Sequence, residues 1–502
     1  MYVDKEAKKR SYGAYKGGFV VSGKNSGAKA NNDILVVNSD STRIFTQDEK
    51  AGFGVVGVSA KRGSSASYMH ITPINYFIGE NSGKYITSGK YNSTFGFETG
   101  LHLATASRNV FLGYQAGQKD STGDDNVFIG NQAGFLNISS INNVVIGSNA
   151  GFSLDTAGNN NVLIGKQAGE HVTNGIANVF IGSMSGNATT TGLGNIFIGD
   201  NAGLVNEIGC NNLFLGPGAG ASNIDGSNNI FFGTEAGKSN TTGLNNIFIG
   251  ERSGYSSDTA KYNTFLGFQA GYKNGGDGNV FLGEEAGFEN EDGAFNIYIG
   301  KFAAHNVKSG INNVFLGFQA GMNSTYSNSL VINSSSDPNS KPLIYGEFAN
   351  RKVVIDGDLS NNPHGRTFFV NGEAGGTTAW FNDSDKRLKK NITTIPNALK
   401  KVMSLRGVNY YWKNPKTHSQ GLQMGFIAQE AEQIIPEVVS KANNHYAMQY
   451  APVTALLVEA VKIQQKQIEG LKQELKQKSS DINNLKAEVE ELKMIVGQSA
   501  KK

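Results

Sequence analysis

A five-residue phrase of polar and apolar positions recurs along most of the chain and predicts its main element. The phrase reads asparagine, aliphatic, aromatic, aliphatic, glycine, and its asparagine occurs fifteen times between Asn75 and Asn313. Every step is 17 residues, apart from one of 18 and one of 16. A fixed short period is typical of a stacked array in which each copy contacts only its neighbours. The period is too short for a pair of helices and glycine is too frequent for helix, so it predicts a parallel β-solenoid or β-roll.

The strand within each phrase is apolar on both faces. The first and third residues after the asparagine are mostly Val, Ile or Leu, and the second is aromatic in 12 of 15 copies. Successive side chains of a strand point to opposite faces, so a single coil can enclose only one of these two sets. Burying one Phe is worth about 1.5–3 kcal/mol. An exposed ladder of a dozen rings is too large an apolar surface for a soluble monomer.

We therefore expect one ladder to fill each chain's own coil and the other to form an interface between parallel copies. A 17-residue turn encloses little volume and Phe rings are bulky, so we place the aliphatic residues inside and the aromatic residues between chains. The opposite assignment is the alternative. The repeated asparagine is expected to hydrogen bond to its neighbours along the fibre. The rings expected to meet near a shared axis are Phe197, Phe214, Phe231 and Phe248.

Departures from the phrase divide the chain into five segments. Short β-like runs flank the regular array, and from residue 384 the composition shifts to mixed helical and β segments. The expected fold class is mainly β, a parallel β-solenoid or β-roll shaft followed by a small α+β domain and a helix. The predicted segments are degenerate β repeats at 1–74, regular coils at 75–327, a β neck at 328–383, the α+β domain at 384–456 and a coiled coil at 457–502.

The C-terminal segment carries apolar residues at heptad spacing. Six heptads with charged flanks predict a coiled coil. β-branched residues at a with Leu at d favour two strands, so the heptads alone do not predict three chains. The polar residues Gln464 and Lys478 at d lower stability and fix the register. The first candidate interface residues of this helix are Leu457, Val461, Gln464, Ile468 and Leu471.

Two motifs ahead of the heptads carry the candidate chemistry. The first is Ser-Asp-Lys-Arg-Leu-Lys at 384–389, and the second is Gly-Phe-Ile-Ala-Gln-Glu at 425–430, with Tyr450 following. In this order they resemble the C-terminal intramolecular chaperone of endosialidase-type phage tail spikes and fibres. That family is a self-cleaving serine peptidase that also occurs on bacterial surface proteins. The resemblance covers 384–502 and implies a homotrimer, self-cleavage and assistance of folding.

By this resemblance Ser384 matches the catalytic nucleophile and Lys389 matches its partner, with the cut between Asp383 and Ser384. A Ser hydroxyl is a poor nucleophile until a base removes its proton. A Lys can be that base once burial or neighbouring cations lower its pKa, and three further cations crowd Lys389 in the sequence. The alternative is structural, a Ser or Asp helix N-cap followed by a solvated basic run.

Composition argues against several other classes of protein and site. Gly is 64 of 502 residues but Pro only 9, without a strict Gly-X-Y period, which excludes collagen. The seven His are scattered and no Asp holds a fixed slot in the repeat, so we expect no metal and no cofactor. No apolar run reaches the roughly 18 residues of a membrane span, so we expect no membrane insertion. The net charge is +8 over 384–502 and −5 over the rest, which gives no reason to expect nucleic acid.

Two functions fit such a shaft. The first is a trimeric extracellular fibre that attaches to a receptor or glycan and is held through its N-terminus by a base particle or an envelope anchor. A virion tail fibre is favoured because the N-terminus resembles no secretory signal. The repeat also resembles the coils of trimeric autotransporter adhesin heads, so a bacterial cell-surface adhesin is an alternative. The second function, a tailspike-type polysaccharide-degrading enzyme, is disfavoured because the constant period leaves no room for a catalytic insertion. Self-cleavage is then the single enzymatic activity expected.

Overall fold

The computed structural model of the chain is mainly β, with a β-solenoid, a small region of short strands and helices, and a long C-terminal helix. It divides into two compact units, residues 1–340 and 341–502. Each unit is described by itself. The residues described are 19–23, 32–37, 42–44, 53–58, 65–335, 337, 340–362, 366–371, 384–413, 420–442 and 445–500.

The described strands before the regular array pair antiparallel. β1 pairs with β2 and β2 with β3, and separately β4 pairs with β5. Residues 1–74 were expected to form degenerate coils, and these hairpin-like pairings differ from that expectation because an antiparallel neighbour returns along the sheet instead of stacking one coil higher. The five strands are β1 (Phe19–Gly23), β2 (Asn32–Val37), β3 (Thr42–Ile44), β4 (Phe53–Val58) and β5 (Ser65–Ile71).

The regular array is a β-solenoid in which successive short strands pair in parallel. Each strand aligns with the equivalent residues one coil away, as Phe231 does with Phe248. The coil strands are β6 (Asn75–Ile78), β7 (Asn92–Phe95), β8 (Val110–Leu112), β9 (Val127–Ile129), β10 (Val144–Ile146), β11 (Val162–Ile164), β12 (Val179–Ile181), β13 (Ile196–Ile198), β14 (Leu213–Leu215), β15 (Ile230–Phe232), β16 (Ile247–Ile249), β17 (Thr264–Leu266), β18 (Val280–Leu282), β19 (Ile297–Ile299), β20 (Val314–Leu316) and β21 (Ser329–Ile332).

The aromatic residue of each coil strand points into the coil of its own chain. Phe197, Phe214, Phe231 and Phe248 each have an exposed fraction of 0% within the single chain. Their rings stack nearly parallel, with centroids 4.7–4.9 Å apart. The prediction that these four rings form the interface between chains is therefore wrong, because no surface of theirs is left for a partner.

Small residues opposite the rings provide the space that the rings need. In the coil of β15, Ala236 is fully buried and the Cα of Gly237 lies against the ring of Phe231. A Cβ at Gly237 would come 2.6 Å from Cδ2 of Phe231. The repeated Ala-Gly pair thus leaves enough space inside a 17-residue coil for a Phe ring. The expectation that such a coil is too narrow for aromatic residues is wrong for this reason.

The first and third residues of the coil strands point outward. From β8 to β20 none of these 26 side chains is buried, and the exposed fraction reaches 44% at Val110 and 55% at Phe232. We call this set, two residues from each of thirteen strands, the aliphatic face. The alternation of the strand was therefore predicted correctly, but the aromatic residues lie inside the coil and the aliphatic residues outside it, the reverse of the prediction.

The repeated asparagine forms a buried ladder along the solenoid. The backbone N–H of Asn246 donates to Oδ1 of Asn229, 3.0 Å away, and its Nδ2 donates to the carbonyl of Ala260, 2.7 Å away. The same backbone-to-Oδ1 bond occurs at each copy from Asn92 to Asn313. The prediction of hydrogen bonds along the fibre is confirmed. Asn246 thereby connects its strand to the preceding coil and to its own closing turn.

A second buried polar position follows the Ala-Gly pair, and in one coil it is a carboxyl. Asn206 and Asn223 occupy this position in two coils, and Asp120 occupies it near the start of the array. Oδ1 of Asp120 accepts a hydrogen bond from the N–H of Gly123 at 2.8 Å, whereas its buried Oδ2 has no partner. Burial raises the pKa of the Asp120 carboxyl well above its usual range and outweighs that hydrogen bond.

Asp120→Asn is expected to stabilise the solenoid near neutral pH. The unfolded chain releases the Asp proton at a lower pH than the folded chain does, so the cost of Asp120 is absent below its ordinary pKa and grows as pH rises. An Asn has no such cost, and we expect a gain of about 1–3 kcal/mol near pH 7 and almost none near pH 3. Denaturant unfolding at both pH values measures this. Asp200→Asn, at an exposed carboxyl, is the matched control, and an equal gain at both pH values would contradict the assignment.

Among its described residues, the second unit has seven short strands in three paired groups and three α-helices. β22 pairs antiparallel with β23, which pairs in parallel with β24, while β25–β26 and β27–β28 are antiparallel pairs. The strands are β22 (Ile344–Glu347), β23 (Lys352–Ile355), β24 (Phe368–Val370), β25 (Gly407–Tyr410), β26 (Gln423–Phe426), β27 (Val439–Ala442) and β28 (His445–Met448). The helices are α1 (Ala398–Ser404), α2 (Ala428–Glu432) and α3 (Ala451–Ser499).

A small apolar core holds the three helices together at the beginning of α3. α3 is a single helix of 49 residues, and beyond this core its side chains are largely exposed. Across the part of the chain that is described, no helix combines the length and the hydrophobicity of a membrane span. The buried core residues are Ala398, Ala431, Ile435, Val453, Leu456 and Ala460.

Candidate autoproteolytic site

The two residues with predicted catalytic roles contact each other across a single 3-10 turn. Nζ of Lys389 donates to Oγ of Ser384 at 2.6 Å. The turn occupies Lys386–Leu388, and Lys389 follows it with extended backbone, at φ −119° and ψ 144°. This short turn explains how a side chain five residues further along the chain reaches the serine hydroxyl.

Asp385, rather than Ser384, caps the turn. Its Oδ1 accepts a hydrogen bond from the N–H of Arg387 at 2.8 Å, and its carboxylate pairs with the Arg387 guanidinium at 2.6 Å. The hydrogen bonds from Arg387 lower the pKa of the Asp385 carboxyl. Since Asp385 supplies the cap, the Ser384 hydroxyl is left to Lys389. The structure therefore contains both the N-cap that the structural interpretation expects and the contact between Ser384 and Lys389 that the catalytic interpretation expects.

The site lies at the surface of the single chain. Every residue from 384 to 392 is exposed. A lysine in water carries a proton and can only donate, whereas a lysine base must be neutral to accept one. The single chain thus provides the contact between the two groups, and the chemistry requires in addition that the amine be covered or surrounded by cations.

The second motif is held by contacts to distant parts of the unit. The N–H of Phe426 donates to the hydroxyl of Tyr450 at 3.1 Å, and a Cβ at Gly425 would displace that hydroxyl. Glu430 pairs with Arg406, whose Nε is 2.9 Å from Oε2, and these hydrogen bonds lower the pKa of the Glu430 carboxyl. Gly, Phe and Glu of the motif therefore each have a role in packing or pairing.

Residues 384–440 match the family model described as Chaperone of endosialidase. This segment is an endosialidase-type chaperone domain. The match begins at Ser384 and includes Lys389 and the motif at 425–430, and it covers 57 of the 502 residues. The comparison with curated proteins found no match. A chaperone of endosialidase following a β-solenoid makes the chain similar to tail fibres and tailspikes.

The other predicted site residues have separate outcomes. Asp383, on the acyl side of the predicted cut, lies outside the described residues. The candidate interface residues of α3 are exposed within the single chain, and their role between chains stays a prediction. Over the described ranges, no three His, Cys, Asp or Glu side chains are grouped as a metal site would require. The α3 residues are Leu457, Val461, Gln464, Ile468 and Leu471.

One contact of the chaperone domain was missed in the sequence, the ion pair between Arg406 and Glu430. The cap by Asp385 belongs to the structural alternative, in which a Ser or Asp caps the turn, because an Asp side chain readily accepts from the backbone N–H two residues on. The Arg406–Glu430 pair had no comparable signal, since its partners are 24 residues apart and meet only through the β25–β26 pairing.

Proposed function

We propose that this chain forms a homotrimeric extracellular fibre, of a virion tail or a cell surface, whose solenoid shaft attaches to a receptor or glycan. Its chaperone domain assembles the trimer and cleaves itself off between Asp383 and Ser384. The observation that carries the proposal is the 2.6 Å contact of Lys389 with Ser384 inside a segment that matches the endosialidase chaperone family.

The proposed cleavage is an attack of Ser384 on the peptide bond that precedes it. A neutral Lys389 takes the hydroxyl proton, and Oγ forms a bond with the carbonyl carbon of Asp383. The bond from that carbon to the Ser384 nitrogen then breaks, and the nitrogen leaves with the proton that Lys389 held. Water hydrolyses the resulting ester and gives two chain ends. Because nucleophile and bond belong to adjacent residues, proximity is built into the chain.

The exposed heptad residues of α3 support association of several copies. Apolar a and d residues are more than a third exposed along its length, from 40% at Ile468 to 74% at Leu475. A single helix with such a stripe is stable in water only when other helices cover the stripe. Assembly would also cover Lys389 more than the single chain does, so we expect cleavage to follow assembly.

Ser384→Ala is expected to abolish cleavage completely, because no hydroxyl remains to attack. The wild-type chain should yield fragments of residues 1–383 and 384–502, which intact-mass spectrometry distinguishes from the full chain. Lys389→Met should also block cleavage, since it removes the base and keeps the length of the side chain. Lys400→Met, on α1, is the control and should cleave normally. A wild-type chain that forms trimers and stays uncut would contradict the catalytic assignment.

Deletion of residues 384–502 is expected to prevent correct assembly of the shaft. Copies of a repetitive solenoid can slip by one coil with little loss of contact, so something outside the array must set their register. The shortened chain should give monomers or aggregates in analytical ultracentrifugation. The full-length Ser384→Ala chain retains the chaperone domain and is the control. Well-formed trimers of residues 1–383 expressed alone would show that the domain is not needed.

A further inference from the structure

We propose that the aliphatic face of the solenoid is the surface along which copies of this chain pack side by side, parallel and in register. The proposal rests on the homotrimer proposed above and assigns the part of the shaft that forms its interface. The aromatic ladder cannot serve this purpose because it is enclosed within each chain.

The chemistry of the aliphatic face separates it from the rest of the shaft. Of its 26 side chains, all are apolar except Thr264, and none is charged. Two residues after the end of the strand, charged residues appear in five of the thirteen coils, as at Lys166, Asp200 and Glu251. The array thus contains many charged residues but keeps them out of these two columns. Depletion of charge is the compositional mark of the core of a protein interface.

The size of the aliphatic face exceeds what a monomer usually exposes. Ten of the 26 side chains are more than a third exposed, and all are at least partly exposed. At roughly 60–120 Å² for a whole Val, Leu or Ile side chain, with about a third of each exposed, the uncovered apolar area is roughly 500–1,000 Å² per chain. The largest patch on a typical monomer is about 300–600 Å², whereas a stable interface buries about 800 Å² per partner.

The periodicity of the face identifies the occupant as a second copy of the chain. Each coil contributes one row of side chains to the face, and successive rows have the spacing of the stacked rings, 4.7–4.9 Å. A partner surface with the same spacing can place one of its own rows against each row of the face. A second copy of the same chain has this spacing. Only a parallel copy at the same height also places the 18-residue and 16-residue coils level with each other. The heptads of α3 independently favour identical parallel chains.

Polar side chains border the face along part of one side. The residue before the ladder asparagine lies on the outward side of the strand, and in three successive coils it is an exposed asparagine, at Asn211, Asn228 and Asn245. Amide side chains at the edge can hydrogen bond to water or to the neighbouring copy. An apolar centre with a polar, hydrated margin is the usual arrangement of an interface between proteins.

Cysteine cross-linking in the full-length chain tests the assignment. The natural Cys210 is first replaced by Ser, and Ile198→Cys is then introduced on the aliphatic face. Glu207→Cys, an exposed residue of the same coil outside the face, is the matched control. Mild oxidation and a short bismaleimide should link chains covalently through residue 198 and not through residue 207. Circular dichroism of both variants checks that the solenoid is retained.

The outcomes separate this inference from the proposed function. Cross-links at residue 198, between chains that native mass spectrometry shows to be trimers, support the assignment. Trimers that cross-link at residue 207 and not at residue 198 overturn the assignment and leave the trimeric fibre standing. A monomeric full-length chain overturns both.

Discussion

Phe231→Ala is expected to open the middle of the solenoid. The ring is fully buried and lies between Phe214 and Phe248, with centroids 4.8 and 4.9 Å away. Removing a buried Phe leaves a cavity and typically costs about 3–5 kcal/mol. In an array whose copies contact only their neighbours, this loss is concentrated in the coil of β15 and the two coils beside it. Those coils should therefore unfold locally before the rest of the shaft.

Hydrogen exchange followed by mass spectrometry measures this local opening. Peptides covering β14 to β16 should exchange much faster in Phe231→Ala, whereas peptides from β8 to β10 should keep their rates. Phe231→Leu is the control, because Leu163 fills the equivalent position of another coil and is fully buried there. Dissociation of chains without faster exchange would mean that the ring acts between chains after all.

Gly233→Ala is expected to be nearly as damaging, for a reason that concerns the backbone. Gly233 has φ of +138°, a conformation that residues with a Cβ rarely adopt. A Cβ there would also lie 2.5 Å from the carbonyl oxygen of Gly250, one coil away. The substitution therefore combines strain of about 1–3 kcal/mol with a clash between coils that backbone atoms alone can relieve. We expect a loss of several kcal/mol, seen as cleavage by added protease near β15 and β16.

Gly194→Asn is the matched control for this prediction. Gly194 also has a positive φ, of +65°, but Asn211 holds the equivalent position one coil later at φ +57°. Asparagine tolerates this left-handed region well. We expect Gly194→Asn to leave protease resistance unchanged. If Gly233→Ala were as resistant to protease as Gly194→Asn, the close approach of neighbouring coils would not require glycine at position 233.

The sequence was sufficient to predict the period, the strands and the asparagine ladder, because each depends on residues that recur in every copy. It was insufficient to decide which face of the strand is inside. Both faces are apolar, so hydrophobicity does not separate them, and the volume of the coil depends on residues elsewhere in the turn. The Ala-Gly pair was the relevant signal, since residues as small as Ala236 and Gly237 opposite a strand leave room for a ring.

In the chaperone domain the local contact was predictable and the supporting contacts were not. Ser384 and Lys389 are five residues apart, so a single turn is enough to bring them together. The Arg406–Glu430 pair and the Tyr450 hydroxyl at Phe426 connect residues 24 apart, and their meeting depends on how the whole unit folds. The helices proposed to pack against α3 belong to other copies of the chain, and the heptad pattern by itself does not fix their number.

Because each coil contributes one ladder asparagine, the length of the solenoid is set by the number of coils. Asn161 reaches Asn143 at 2.9 Å across an 18-residue coil, and Asn279 reaches Asn263 at 2.8 Å across a 16-residue coil. The ladder therefore depends on the equivalence of the asparagines and not on the number of residues between them. Recombination between two copies of the repeat at equivalent positions joins one ladder asparagine to another and keeps the bond from backbone N–H to Oδ1. Gain or loss of one copy of the repeat would therefore lengthen or shorten the solenoid by one coil, about 4.8 Å, while the asparagine ladder stays continuous.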